Sequence, residues 1–227
     1  MNDLLTSNAF FCVFLTLTAF AAGSALQHRW KLAILNPLLI GTILVGFTIT
    51  LSGVSVADYQ AGCAPLQCLL TPATICYSIS LYQQIGALKK HLPAILAGIF
   101  CGTLASLLSI RAMAALFGLD QVLLVSLLPK SITTAIGMAL SQEAGGIAAL
   151  TTAVIVITGI LGNVCGPSLC KLLKLDHPIA QGVAFGTSSH AIGTSKAIEL
   201  SQLAGAVSGM SLTVAGLITV LLFSFLV

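Results

Sequence analysis

Charge is what this sequence has least of. Only 7% of its 227 residues are charged and 6% aromatic, while 57% are hydrophobic. A water-soluble domain carries roughly a quarter charged residues. A surface kept in water is therefore excluded, and the solvent must be lipid. The net charge of +3 comes from scattered basic residues, which excludes a nucleic-acid-binding face. The opening "MNDLLTSNAFF" has an acid where a secretory signal needs positive charge, so the first apolar segment reads as a retained helix. Seven cysteines (12, 63, 68, 76, 101, 165, 170) are present. The spacing of Cys63/Cys68 and Cys165/Cys170 is near that of metal ligands, but no His or carboxylate completes either set. No metal site, disulfide framework or cofactor is expected.

What remains is apolar. Runs near the ~20 residues that span a bilayer fall at about 4–26, 31–52, 66–82, 92–117, 121–140, 147–170, 178–200 and 204–227. They are continuous rather than alternating, which selects helices over a barrel. The expectation is an all-α polytopic integral membrane protein, one domain over 1–227, with about six to eight membrane segments, some interrupted or re-entrant.

Lys and Arg gather on cytoplasmic loops. "QHRWK" (27–31) and "KKH" (89–91) then lie inside, and "GVSVADYQAG" (53–62) and "GLD" (118–120) outside. A single crossing by 121–140 would put Lys171 and Lys174 outside and break the pattern. The pattern is restored if 121–140 enters, turns near Pro129–Lys130 and leaves on the same side. A kinked spanning helix is the alternative. The words AIG and SQ-x-AG recur in "AIGMALSQEAGG" (135–146) and "AIGTSKAIELSQLAGA" (191–206). Each copy is followed by a long apolar helix. Units 121–170 and 178–227, after the N-terminal helices of 1–120, thus form a candidate inverted-topology repeat, an arrangement that builds transporters. Chance similarity among Gly, Ala and Ser is the rival reading.

Three polar interruptions lie inside apolar sequence. Pro72, with Thr71 and Thr74 beside it, is expected to loosen its helix. "PKSITT" supplies Lys130, Ser131, Thr133 and Thr134. "GTSSHAIGT" supplies Thr187, Ser188, Ser189, His190, Gly193 and Thr194. Isolated hydroxyls such as Thr16, Thr18 and Thr48 read as bonded to their own backbone. Lys196 and Glu199 read as an i, i+3 pair, and Arg111 as reaching its helix end. Lys130 is different, because a lysine at a membrane-helix centre costs roughly 2.5–3.5 kcal/mol and is a functional-site hypothesis by default. His190 reads equally as a ligand or as a satisfied core residue. Cations and hydroxyl donors without a carboxylate suit an anion, a small carboxylate with hydroxyl or keto oxygens. No acid is placed to orient His190 and no G-x-S-x-G turn is present, so catalysis is not expected.

"NPLL" (36–39), "LTPATICYSISLYQQ" (70–84), "LLPKSITTAIGMALSQEAGGI" (127–147), "ITGILGNVCGP" (157–167) and "GVAFGTSSHAIGTSKAIEL" (182–200) together resemble the LrgB/CidB family. Its members are called antiholin-like or murein-hydrolase-export regulators. The resemblance departs at Ala135, where proline is usual after the two threonines, and at Ser78–Ile79–Ser80. It implies a multi-pass protein of the bacterial inner membrane with a smaller holin-like partner of the LrgA/CidA type, and a homo- or hetero-oligomer. A plastid relative carries glycolate and glycerate, and some bacterial relatives are linked to pyruvate. The resulting expectation is a secondary transporter, or its transport subunit, for small monocarboxylates. Lys130 and His190 would hold the carboxylate, with Thr71, Ser131, Thr133, Thr134, Ser188, Ser189 and Thr194 as donors. The alternative is a regulator of autolysis acting through the holin-like partner.

Overall fold

A computed structural model describes residues 9–30 and 35–227, except for the side chains at positions 70, 73, 74, 77, 78, 80, 81 and 87. The described elements are helices: α1 (Ala9–Trp30), α2 (Pro37–Ser52), α3 (Val56–Gly62), α4 (Ala64–Gln67), α5 (Leu70–Gln83), α6 (Ile85–Phe117), α7 (Gln121–Leu127), α8 (Thr134–Glu143), α9 (Ala148–Leu172), α10 (Pro178–Leu200) and α11 (Gln202–Leu226). They divide into two compact units, Met1–Cys76 and Tyr77–Val227.

Among the described residues, four helices are long and apolar enough to cross a membrane: Ala9–Trp30, Leu88–Phe117, Ala148–Leu172 and Gln202–Leu226. A fifth span arises if α2 and α3, bent by 118° at their junction, count as one. That is fewer than the six to eight segments expected. The shortfall has local causes. Helix α5 is only 14 residues long, α7 has 7 and α8 has 10, and α10 is broken midway. Pro72 interrupts nothing, because α5 begins at Leu70 and a proline in the first turn removes a donor that has no helical partner anyway.

In the first unit α1 packs on α2 through glycine. A Cβ on Gly23 would sit 2.9 Å from the Pro37 carbonyl oxygen. Thr16 donates to the Cys12 carbonyl (2.7 Å) and shares a 2.6 Å hydrogen bond with Tyr59. Asn36 caps α2 by accepting from the Leu38 N–H at 2.8 Å, and Gly53 ends it in the left-handed conformation, φ 66°.

The second unit is organised by where its helix ends meet. Near one membrane face, the Arg111 guanidinium donates to the Leu226 carbonyl, and the Gln121 side chain donates to the Val227 carbonyl at 3.0 Å. Ile110, Ala114, Leu124 and Phe223 form a buried cluster there. The C-terminal ends of α6 and α11 and the start of α7 therefore share that face. Near the other, the His91 and His177 rings meet edge to face, 6.1 Å between centroids. The basic stretches 89–91, which fall inside α6 rather than in a loop, and 171–177 thus lie at the same end of the unit.

Helix α7 does not continue across. Asp120 caps its start by accepting from the Leu123 N–H at 2.8 Å. Leu128 is still helical (φ −50°, ψ −47°), but Pro129 after it has no N–H to donate to the helix. Between the last bond of α7 (Leu128 N–H to Leu124, 3.0 Å) and the first of α8 (Gly137 N–H to Thr133, 2.9 Å), the turn is held by two longer backbone bonds, Lys130 N–H to Leu127 (3.2 Å) and Ile132 N–H to Pro129 (3.4 Å). Helix α8 then doubles back. The Ile147 N–H reaches Ser126 Oγ at 2.8 Å, and Leu140 and Ala144 pack against the cluster that contains Leu124.

Helix α10 also doubles back. Ser189 (φ −132°, ψ 16°) and His190 (φ 43°, ψ −139°) leave the helical region. Eight residues apart in a straight helix, Phe185 and Gly193 would be roughly 12 Å distant. Instead a Cβ on Gly193 would come within 2.8 Å of the Phe185 carbonyl oxygen. Phe185 on the entering limb and Ala197 on the returning limb share one small cluster with Cys170 and Ala204. Both turns end against the middle of α9. A Cβ on Gly137 would meet Ile155 at 2.6 Å, and His190 Nε2 bonds the Ile155 carbonyl at 2.9 Å.

Candidate functional site

Between the first turn, α6, α9 and the entering limb of α10 lies a cavity of about 490 Å³. Lys130 and Ser131 come from the turn, Gly102, Ala105, Ser106 and Ser109 from α6, and Ala184, Phe185, Thr187 and Ser188 from α10. Gly162, Gly166, Leu169, Cys170 and Leu173 of α9 close the third side. The lining extends to Leu175, in the loop after α9 that carries Lys174. The walls are otherwise apolar, so the few polar groups set orientation.

Those polar groups converge on one amine. Lys130 Nζ donates to Ser131 Oγ at 3.0 Å and to Ser106 Oγ at 3.3 Å. The two hydroxyls are themselves 3.1 Å apart. No carboxylate lines the cavity among the described residues. Described acids are engaged elsewhere: the Asp58 carboxylate accepts from the Ser55 hydroxyl at 2.6 Å, Asp120 caps α7, and Glu199 pairs with Lys196 at 2.6 Å. An amine that meets only hydroxyls in a low-dielectric surround keeps its hydrogen-bonding capacity for an anion.

The other residues expected in the site separate into two groups. Thr187 and Ser188 line the cavity, Thr187 with its hydroxyl on the Val183 carbonyl (2.7 Å) and Ser188 on that of Ala184 (2.7 Å). Ser189 shares a 2.9 Å bond with Ser188 and presses against Gly162, where a Cβ would collide with its hydroxyl. His190, Gly193 and Thr194 are buried in helix packing and do not line the cavity. His190 is held by the Ile155 carbonyl, which fixes the proton on Nε2. Its ring lies against Gly159, where a Cβ would come within 2.7 Å. Thr194 bonds the His190 carbonyl (3.0 Å) and Ser208 (2.9 Å). Thr133 occupies the N-cap of α8 without a side-chain bond and Thr134 its first turn; both are half-buried outside the lining. Thr71 and Pro72 are exposed on α5 in the first unit, and the Thr74 side chain falls outside the described residues.

Ser106 is the residue that sequence reading missed. A serine within a long apolar helix carries no local sign of function. Asn163 was equally silent; its side-chain amide donates to the Ile192 carbonyl at 3.0 Å and ties α9 to the returning limb of α10. No group of three or more metal-binding side chains occurs among the described residues.

The sequence profile of the LrgB-like family matches residues 16–227. The chain belongs to the LrgB-like family. Among its relatives, YxaC of Bacillus subtilis is 36% identical over 205 residues, 90% of this chain and 89% of that protein. YwbG of the same organism is 34% identical over 215 residues, 94% of this chain and 95% of that protein. A Bacillus mycoides relative named antiholin-like protein LrgB is 31% identical over 216 residues, 95% of this chain and 94% of that protein. No solved structure matches the chain. The LrgB-like match extends over α2 to α11 and most of α1, so it includes every residue of the cavity.

Proposed function

We propose that this chain is a secondary transporter, or the transport subunit of one, for small monocarboxylates bearing a 2-hydroxy or 2-keto oxygen, and that it is not an enzyme. The observation that carries the reading is Lys130, an intramembrane cation whose described partners are two serine hydroxyls at the bottom of a cavity without a carboxylate. A purely structural lysine inside a bilayer needs a counter-charge to offset its desolvation. A ligand anion supplies one, and the Ser/Thr hydroxyls add donors for its oxygens.

The path of the second unit favours alternating access. In this reading the α7–α8 hairpin enters from the face opposite the basic loops, the α10 hairpin enters from the basic face, and α9 and α11 cross in opposite senses. That is an inverted-topology pair whose turns meet at mid-membrane, with the cavity reached from the cytoplasmic side of a bacterial inner membrane. A smaller holin-like membrane protein is the partner we expect beside it.

The test is uptake of labelled glycolate and pyruvate by proteoliposomes holding the full chain. Saturable uptake that Lys130→Ala abolishes supports the reading. The rival reading is an antiholin-like regulator, favoured by the name that the Bacillus relatives carry. If control of autolysis and partner binding both survive loss of the Lys130 cluster while no acid is taken up, the regulator reading replaces the transporter.

A further inference from the structure

Ser106 and Ser131 also line a second, small void of about 10 Å³. Five hydroxyl residues line it: Thr103, Ser106, Ser131, Thr187 and Thr219. Ser106, Ser131 and Thr187 line the main cavity as well, so the two spaces are parted by three small polar side chains. A space of this size holds one oxygen atom or one water and nothing larger.

Thr103 is the anomaly. Threonines inside these helices donate to the carbonyl four residues back: Thr42 to Leu38 (2.8 Å), Thr48 to Leu44 (2.8 Å), Thr187 to Val183 (2.7 Å) and Thr219 to Ala215 (2.8 Å). The Thr103 hydroxyl makes no such bond. It is 3% exposed, lines the void and has no partner. A buried unpaired hydroxyl calls for a physical account. Thr187 and Thr219 spend their protons on backbone carbonyls and keep their lone pairs, and Ser106 and Ser131 are bonded to each other, so the Thr103 hydroxyl is the lining group without a partner and stands among acceptors. That set is matched by a hydroxyl oxygen, which accepts from one side and donates to the other.

Resting on the transporter reading, we infer that the void is a subsite for the 2-hydroxyl of the carried acid and that Thr103 is the residue that selects it. The carboxylate rests on Lys130. The adjacent carbon then reaches the Ser106–Ser131 wall, and rotation of those hydroxyls admits its oxygen to Thr103. A site built around a buried hydroxyl discriminates strongly against an analogue lacking one, because its own polar groups stay unpaired.

The experiment compares labelled glycolate with acetate in proteoliposomes holding the full chain, and the thermal stabilisation each acid gives in detergent. Thr103→Val keeps the shape and should lower the glycolate-to-acetate ratio of kcat/KM by about tenfold or more, the size of one hydrogen bond. Thr103→Ser should restore it. The ligand-free Val variant should melt at or above the temperature of the unsubstituted protein. A fall in its melting point shows the hydroxyl engaged in folding and overturns the subsite. So does an equal loss for both acids, the result expected of a structural water alone. Unsubstituted protein that transports both acids with a ratio indifferent to Thr103→Val overturns the subsite and leaves the transporter standing. Protein that takes up neither acid and is stabilised by neither overturns both.

Discussion

Lys130 and Ser106 stand 24 positions apart in sequence and 3.3 Å apart in space. Their hydrogen bond joins the turn after α7 to α6 and holds the amine in a largely apolar cavity. Residues retained for a ligand usually lower the stability of the empty protein. Lys130→Met should therefore raise the melting temperature or leave it unchanged, removing a cost of roughly 2.5–3.5 kcal/mol, while glycolate uptake disappears. Lys130→Arg should keep part of the uptake, since the charge persists with altered reach. Differential scanning fluorimetry beside flux measurements checks both.

His190 should act on stability more than on affinity. His190→Leu leaves the Ile155 carbonyl buried without its 2.9 Å partner, at about 1–3 kcal/mol. It also keeps a Cβ at φ 43°, a value that branched and bulky residues rarely accept. The expected outcome is a lower melting temperature with the concentration for half-maximal uptake little changed in the protein that remains folded. A large affinity change at constant stability would put the ring in the binding site instead.

Glycine substitutions along the second unit should divide by what a methyl group meets. Gly162→Ala drives a carbon into the Ser189 hydroxyl and should destabilise by about 1–3 kcal/mol. Gly209→Ala meets nothing within 4 Å and should stabilise by about 0.5–1 kcal/mol through helix propensity. Parallel melting curves give the comparison.

Single cysteines, in a background with the seven native ones replaced, test the hairpins. A cysteine at 143 should react with an impermeant maleimide from the periplasmic side, and one at 174 from the cytoplasmic side. Labelling of 143 from the cytoplasm would mean that the segment 121–143 crosses the membrane.

Some of this could be read directly from the chain. Lys130 announced itself because a charge in an apolar run has few structural excuses. Charge bias grouped the basic stretches 89–91 and 171–177, and the His91–His177 contact brings them to one end of the unit. The Lys196–Glu199 pair followed from helical spacing. His190 could not be resolved in the same way. A histidine bonded to a distant backbone carbonyl leaves no mark in sequence, and the partner, Ile155, is 35 residues away. Thr103 and Ser106 were invisible for the opposite reason, because hydroxyls in these helices are common and many of them bond their own backbone. The AIG repeat carried more than it first showed. Gly137 and Gly193 each open a returning limb at a close approach, a Cβ on Gly137 falling 3.3 Å from the carbonyl oxygen of Pro129 in the turn and one on Gly193 2.8 Å from that of Phe185 on the entering limb. The SQ-x-AG copies diverge: Ser141 accepts a buried bond from Thr151 at 2.7 Å, whereas Ser201 caps α11 at the Ala204 N–H.

Gly159, Gly162 and Gly166 give α9 a bare stripe where the α10 hairpin rests. Large side chains lock neighbouring helices like gear teeth, and shifting one past the other means climbing out of each notch. A stripe of hydrogen atoms has no notches. The hairpin that carries Thr187 and Ser188 rests on this stripe, and what fixes its position along α9 is two hydrogen bonds, His190 to the Ile155 carbonyl and Asn163 to the Ile192 carbonyl.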